Sequence, residues 1–339
     1  LPPGLALAVG TSGSTGEPKL ALHDATSLRA SAAGTDARLA GPGQWLLAIP
    51  AHHIAGLQVL VRSILAATTP VLMAGASGGS SAGFTAAGFA AATRELTHAT
   101  AYTSLVPTQV ARLLDDPGGV AALRRFAAVL VGGSAVPRVL RERASASGVH
   151  LVATYGMSES AGGCVYDGRP LPDVRASVDE EGRVHLGGPV IAHGYLGRPD
   201  LSAALFRPDP DIPGVRWFAT DDLGAITAEG ELRVHGRIDD VITTGGLKVH
   251  PRVVEEAVRT AYPGLSAAVV VGVPDPEWGS AIALVTVGDL GEPLGAVRER
   301  LRAELAPYAL PRLLHQVDAL PERGPGKPDR RAIAAMVGQ

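Results

Sequence analysis

Several things are missing from this sequence, and each absence narrows what it can be. There is one cysteine, Cys164, in 339 residues, so no internal disulfide can form and a cytoplasmic, reducing setting is expected. No apolar run approaches the ~18–20 residues of a membrane span. No charged start leads into an apolar stretch, as it would in a signal peptide. Positive charge is not in excess: 30 Lys and Arg stand against 33 Asp and Glu, a formal charge of −3. That gives no basic field for nucleic acid or anionic lipid, so neither a nucleic-acid partner nor membrane insertion is expected. There is no internal repeat. No Ser-His-Asp or Cys-His pattern marks a covalent nucleophile.

What is present is a chain that is 46% hydrophobic and long enough for two domains around a large core. WLLAIP (45–50) reads as a buried strand ended by proline, and 54–67 as a helix apolar nearly all round. PVLM (70–73) reads as a short strand, 75–83 as a loop, and 85–95 as a helix. Strand and turn follow at 99–107, then a helix at 108–116, a strand at 126–133, a helix at 137–147 and a strand at 149–156. Strands alternating with helices predict a mainly parallel sheet with crossover helices. After about residue 170, short β-like runs spaced by Gly and Asp predict antiparallel sheet or a small barrel. From about 240 a third texture begins: helix (251–261), strands (266–273 and 281–287), helix (293–305) and a polar tail, ERGPGKPDRR. It predicts a small α+β domain, with GRIDD (236–240) as the boundary.

Ligands in open α/β sheets sit beyond the carboxyl ends of the strands, and several polar clusters fall there. TSGSTGEPK (11–19) combines hydroxyls, glycines and a lysine. It is not a Walker loop, because Glu17 and Pro18 separate Gly16 from Lys19 and Leu20 follows. Glycines can turn backbone amides toward an anion, so it reads as a phosphate loop, or else as a plain turn between packed elements. AHHIAG (51–56) holds adjacent histidines, of which at least one can be structural. GGSAVP (132–137) and TYGMSES (154–160) complete the set. Glu159 in the latter suits magnesium, which takes one or two carboxylates besides phosphate oxygens and water; alone it would pass for a turn residue or cap. Asp222 could hold ribose hydroxyls or simply end a strand. Lys327, at the glycine-flanked tip of a tail that should not pack tightly, would by itself be a solvated lysine.

Together these segments resemble the adenylate-forming superfamily, the acyl-CoA synthetases and related adenylating enzymes, across nearly the whole chain and in the family's order. The resemblance implies the family's fold. A large N-terminal domain of mainly parallel sheet with a small β-barrel-like part would cover 1–236 and bind ATP and the acyl group. A hinge at 237–240 would join it to a small mobile α+β lid at 241–339. It implies that Thr11, Ser12, Gly13, Ser14, Thr15, Gly16 and Lys19 hold phosphate, and that Gly133, Ser134 and Ala135 lie beside the adenine. Thr154, Tyr155, Gly156, Met157 and Ser158 would line the nucleotide, and Glu159 would be the magnesium ligand. PAHHIAG is similar to the Pro-x-x-His-x-x-Gly element and places His53 at the acyl pocket. TDDLG and GRIDDVITTGGLKVHP put Asp222 and Arg237 on the ribose, Asp239 at the pivot, and Lys248 on the face presented for thioester formation. GPGKPDR makes Lys327 the adenylation lysine.

The implied substrates are a small carboxylic acid, ATP with magnesium, and coenzyme A. The implied chemistry is adenylation of the acid, then attack by the CoA thiol. Within the family, LLAIPAHHIAGLQVLVRSILA most resembles the short actinobacterial acid–CoA ligases, which implies an acid carrying two carboxylates and an aryl ketone. Its pocket would draw on His53, Ser104, Thr108, Ser134, Ala161, Gly162 and Gly163, although the hydroxyls of TSLVPT could instead cap the next helix. Other aryl or short acyl acids, a stand-alone adenylating enzyme, and a non-catalytic nucleotide-binding homologue are the alternatives; homo-oligomers are left open. The chain departs from the family at three places. The loop starts at residue 11, where the family carries a long preceding segment, so part of the pocket wall and dimer surface is expected to be missing or reduced. Asp221 stands where the family has Gly, and Ser158 where Thr is usual.

Overall fold

The structure is a computed structural model that describes residues 4–11, 19–73, 84–322 and 328–338. The predicted loop at 75–83 lies outside the described residues. The chain forms two compact units, the larger made mostly of residues before 221 and the smaller holding everything from Val234 onward, with 137–139 and 221–224.

The elements run in order as follows. A hairpin, β1 (Leu5–Thr11) and β2 (Lys19–Asp24), leads into α1 (Ala25–Arg38), β3 (Gln44–Leu47), α2 (Ile54–Leu65), β4 (Val71–Leu72) and α3 (Ala86–Arg94). Next come β5 (Ala101–Leu105), α4 (Pro107–Leu114), α5 (Pro117–Leu123), β6 (Ala128–Val131), α6 (Arg138–Ala146) and β7 (Leu151–Met157). Then follow β8 (Gly162–Tyr166), β9 (Arg169–Pro170), β10 (Arg175–Val178), β11 (Arg183–Gly188), α7 (Pro199–Leu205), β12 (Phe206–Pro208), β13 (Arg216–Ile226) and β14 (Leu232–Arg237). The chain finishes with β15 (Ile242–Thr244), β16 (Leu247–Val249), α8 (Pro251–Ala261), β17 (Ala267–Asp275), β18 (Gly279–Val287), α9 (Leu294–Leu301), β19 (Leu313–Val317) and α10 (Arg330–Val337).

The larger unit is built on a seven-stranded sheet of order β4-β3-β5-β6-β7-β8-β9. It is parallel from β4 to β7 and antiparallel through β8 and β9. Strands β3 and β6 are buried at every position, as strands covered on both faces must be. That explains why WLL and AVLV read as unbroken apolar runs rather than alternating ones. The second sheet has the order β10-β11-β13-β12, with β14 also paired to β13. Asp221 and Asp222 lie within β13, and neither takes a positive φ. The glycine that the family carries at 221 is therefore not demanded by the backbone here.

The smaller unit packs helices on both faces of the β17-β18-β19 sheet. Alternation along β17 divides its valines. Val270 faces a core with Val254, Val258, Ile282, Leu284 and Val297; Val269, Val271 and Val273 face another with Ala283, Val285, Ile333 and Val337. Beyond the polar tail at 322–331 the chain continues in α10, whose Ile333 and Val337 are buried in that second core. Each such side chain contributes about 1.5–3 kcal/mol. Among the described residues no helix is long and apolar enough to cross a membrane.

Candidate active site

Strands β3, β5, β6 and β7 are adjacent and parallel, so their carboxyl ends share one edge of the sheet. The chain beyond those ends carries four of the predicted clusters. Past β3 come Pro50 and His53. Past β5 comes Thr108, exposed in the first turn of α4, while Ser104 is buried inside the strand. The hydroxyls do not cap α4; its N-cap is Val106, with the Gln109 side chain accepting from the Val106 amide. Past β6 come Gly133, in the left-handed region at φ 82°, half-buried Ser134 and exposed Ala135. Half-buried Thr154, Tyr155, Gly156 and Met157 end β7, and Ser158 and Glu159 open a 3₁₀ turn. Gly156 has no room for a side chain, since a Cβ would lie 2.0 Å from the Gly162 carbonyl oxygen.

The hairpin brings a fifth cluster to the same edge. Thr11 and Lys19 are directly opposite across β1 and β2. The intervening Ser12, Gly13, Ser14, Thr15 and Gly16 lie outside the described residues. Two hydrogen bonds fasten the hairpin to the Glu159 turn: Ser158 Oγ donates to the Gly10 carbonyl at 2.8 Å, and His23 Nε2 donates to the Ser158 carbonyl at 2.6 Å. The hydroxyl that replaces the family's threonine at 158 thus has a definite task. His23 is fully buried, and that burial lowers its pKa against the opposing pulls of the Ser158 carbonyl and Asp24. Its ring is neutral, with the proton on Nε2.

Glu159 is buried and accepts a 2.7 Å hydrogen bond at Oε1 from the Tyr195 hydroxyl. After it, Ala161 adopts φ 51° and Gly162 φ 97°, which reverses the chain into β8. The Ala161 carbonyl is then held by Ser31 Oγ at 3.0 Å and Gln58 Nε2 at 2.9 Å. Gly163 follows within β8. Cys164 is buried behind this turn; burial pushes its thiol up to about 12, so it is no nucleophile.

Helix α2 is set by its glycine. A Cβ on Gly56 would lie 2.3 Å from the Pro50 carbonyl oxygen, so the first turn sits hard against the Pro50 bend. This accounts for the spacing of Pro50, His53 and Gly56, and it leaves His53 exposed at the N-cap with its ring 4.3 Å from that of His52. Further along, Gln58 and Arg62 share a face. Arg62 is 4% exposed, lies 4.8 Å over the Trp45 ring, and leaves its Nε without a hydrogen-bond partner. Among the described residues it makes no ion pair within 4 Å; Asp36 feels it only at longer range.

In the smaller unit, buried Asp222 is joined by Arg237, which ends β14. Arg237 reaches Asp221 Oδ2 at 3.2 Å and Asp239 Oδ1 at 2.9 Å. Burial opposes the charge of Arg237, but Asp239, Asp222 and Asp221 outweigh it and raise the guanidinium pKa. Asp239 sits in a 3₁₀ turn, Ile238–Asp240. Arg330, at the start of α10, binds Asp240 Oδ2 at 3.2 Å, Glu255 Oε1 at 2.6 Å and the Val270 carbonyl at 2.6 Å. Lys248 is exposed on the β15–β16 hairpin, opposite Thr243. Lys327 lies outside the described residues, between Glu322 and Pro328, which form an antiparallel bridge.

Among the described residues no three carboxylates, histidines or cysteines cluster as a ready-made metal cage. The donor set that does exist, one buried carboxylate on a turn tied to a glycine-rich hairpin, matches the way magnesium is held when phosphate oxygens supply its other ligands.

Two residues of this region escape sequence reasoning. Gln58 is one of three polar positions, with Arg62 and Ser63, of an otherwise apolar helix, and that was the available signal. Tyr195 gave none, because its importance lies in a contact 36 residues away.

A family model described as AMP-binding enzyme matches residues 4–196, and one described as AMP-binding enzyme C-terminal domain matches 254–327. The chain belongs to the AMP-binding enzyme family. It is an AMP-forming acid–CoA ligase that uses ATP, magnesium and coenzyme A. It is similar to a probable 2-succinylbenzoate–CoA ligase of Mycobacterium tuberculosis, 46% identical over 97% of this chain and 84% of that protein. Among solved structures it is similar to the o-succinylbenzoate CoA synthetase of Bacillus subtilis with the acyl-adenylate OSB-AMP. That match has TM-score 0.82 and 25% identity, over 96% of this chain and 68% of the other. The same Bacillus enzyme with ATP and a magnesium ion gives TM-score 0.77 and 25% identity, over 93% and 66%.

Proposed function

We propose that the acid is 2-succinylbenzoate and the product its CoA thioester, as in menaquinone biosynthesis. The observation that carries this reading is the similarity to a probable 2-succinylbenzoate–CoA ligase, 46% identical over 97% of this chain. An acid with one carboxylate spends it on adenylation. A second carboxylate needs polar donors in the pocket, and His53, Thr108 and Ser134 stand beyond the carboxyl ends of β3, β5 and β6.

The chemistry divides into two displacements. A carboxylate oxygen attacks the α-phosphorus of ATP and pyrophosphate leaves; the CoA thiol then attacks the acyl carbon and AMP leaves. Neither step needs a protein nucleophile, so the protein acts by positioning and charge stabilisation. In this reading residues 11–19 hold the leaving pyrophosphate, and Glu159 holds magnesium, which neutralises phosphate charge when bound. Gly133, Ser134 and Ala135, with Thr154 to Ser158, flank the nucleotide, and Asp222 and Arg237 take the ribose. Lys327 stabilises charge as the first bond forms. We take 1–236 as the ATP- and acyl-binding domain, 237–240 as a hinge about Asp239, and 241–339 as a lid. Rotation of the lid withdraws Lys327 and presents Lys248 for the second step.

A pyrophosphate-release assay over a panel of acids, with and without CoA, tests the reading. 2-Succinylbenzoate should be preferred over benzoate, succinate and amino acids, and CoA should raise turnover with AMP formed one for one. Preference for an acid lacking the second carboxylate, or indifference to CoA, would overturn it.

A further inference from the structure

Tyr195 stands where two parts of the phosphate site meet. Its hydroxyl donates to Glu159 Oε1 at 2.7 Å, and Lys19 Nζ lies 5.0 Å from its ring centroid. The backbone that places it is fixed. Residues 193–196 run beside β2, with Leu22 N donating to the Gly194 carbonyl, His193 N to that of Leu22, and Leu196 N to that of Leu20. Ala21 forms a bridge with Tyr195, so Lys19, two residues earlier on β2, projects from the same face as Ala21. Behind, the ring meets Phe206 edge-on at 5.2 Å, and Ser202 Oγ accepts from the Tyr195 amide at 2.8 Å. Tyr195 is 4% exposed, so this is a held ring and not a surface side chain that happens to reach inward.

We propose that Tyr195 is a positioning residue, its hydroxyl fixing the plane of the Glu159 carboxylate for magnesium while its ring holds the Lys19 ammonium at the base of the phosphate loop. The inference rests on the ligase reading above, in which Glu159 is the metal carboxylate. A carboxylate on a short turn can rotate about its side-chain torsions. A buried hydrogen bond to one oxygen removes that freedom before the metal arrives, as partners of metal ligands commonly do. The ring face offers Lys19 a separate, hydroxyl-independent attraction. The two functions can therefore be cut apart: Tyr195→Phe removes the first and keeps the second, and Tyr195→Leu removes both.

The test is calorimetric ATP binding to the full chain, with magnesium and with EDTA. For the wild type, magnesium should tighten ATP binding. Tyr195→Phe should reduce that tightening by about tenfold, the size of one charge-assisted hydrogen bond, and leave magnesium-free affinity within about twofold. Tyr195→Leu should weaken the magnesium-free affinity as well. In a Glu159→Gln background, Tyr195→Phe should have no further effect on magnesium linkage, a coupling that a purely structural tyrosine would not show. If Tyr195→Phe leaves the linkage intact, lowers both affinities equally, or acts alike with and without Glu159, the role assigned to Tyr195 is wrong while the ligase reading stands. If the wild type binds ATP in neither condition, both fall together.

Discussion

His23 and Ser158, 135 residues apart in sequence, meet through a 2.6 Å hydrogen bond from imidazole to carbonyl. This bond clamps the hairpin bearing the proposed phosphate loop onto the turn bearing Glu159, and it depends on a neutral, buried ring. Because burial lowers the pKa of His23 in the folded state, the unfolded chain takes up the proton first as pH falls. The clamp should therefore be fully effective above the ordinary value of 6.5 and lose ground below it, by up to about 1.4 kcal/mol per pH unit until the folded-state pKa is reached. Urea unfolding of the wild type and His23→Gln at pH 8 and pH 5.5 measures this. The wild type should be the more stable at pH 8, and its advantage should shrink at pH 5.5. An advantage independent of pH would contradict the account.

Gly56→Ala puts a methyl group 2.3 Å from the Pro50 carbonyl oxygen. Helix or bend must shift, at a cost of about 1–3 kcal/mol for an overpacked site. Because His53 is the N-cap of that helix, the shift should also raise KM for the acid. ATP affinity should hardly change. Denaturant melts and steady-state kinetics on the same preparation read both effects.

Arg62→Met keeps much of the volume over Trp45, at the start of β3 and so at the edge of the sheet away from the site, and removes the cation. The fold should tolerate it, since replacing a buried charge by an apolar side chain of like size is often neutral. Urea unfolding should show a change below about 1.5 kcal/mol, with KM for the acid and for ATP unchanged. A raised acid KM at unchanged stability would contradict this placement.

Lys327→Ala separates the half-reactions. Adenylation, followed as pyrophosphate release, should fall by about 10²–10³, the usual loss for one electrostatic stabiliser. Transfer to CoA from supplied acyl-adenylate should survive. Equal losses in both halves would refute the assignment.

Much of this architecture can be read from the residues because its strands hold short apolar runs closed by glycine or proline: WLLAIP, AVLVGG and the valines of β17. Helix α8 declares itself through Pro251 at its start and buried Val254, Ala257 and Val258 at helical spacing. Helix α10 does not, because RRAIAAMV offers only Ile333 and Val337 to a core made by distant strands. At the site, clusters that follow strands are legible since local turns make them. Contacts such as Tyr195 with Glu159 or His23 with Ser158 are not, because only the folded sheet brings their partners near. Asp221 shows the converse: it stands where the family has Gly, yet the strand runs straight through and the carboxylate pairs with Arg237.

Arg330 gathers Asp240, Glu255 and the Val270 carbonyl around one guanidinium, three residues after Lys327. If the proposed hinge at 237–240 turns, torque applied at the 3₁₀ turn would reach the rod of α10 through a stiff coupling. Clipping the last dozen residues would then be like removing the far bearing of a crankshaft: the turn could still pivot, but its rotation would no longer be carried to the chain beside α10.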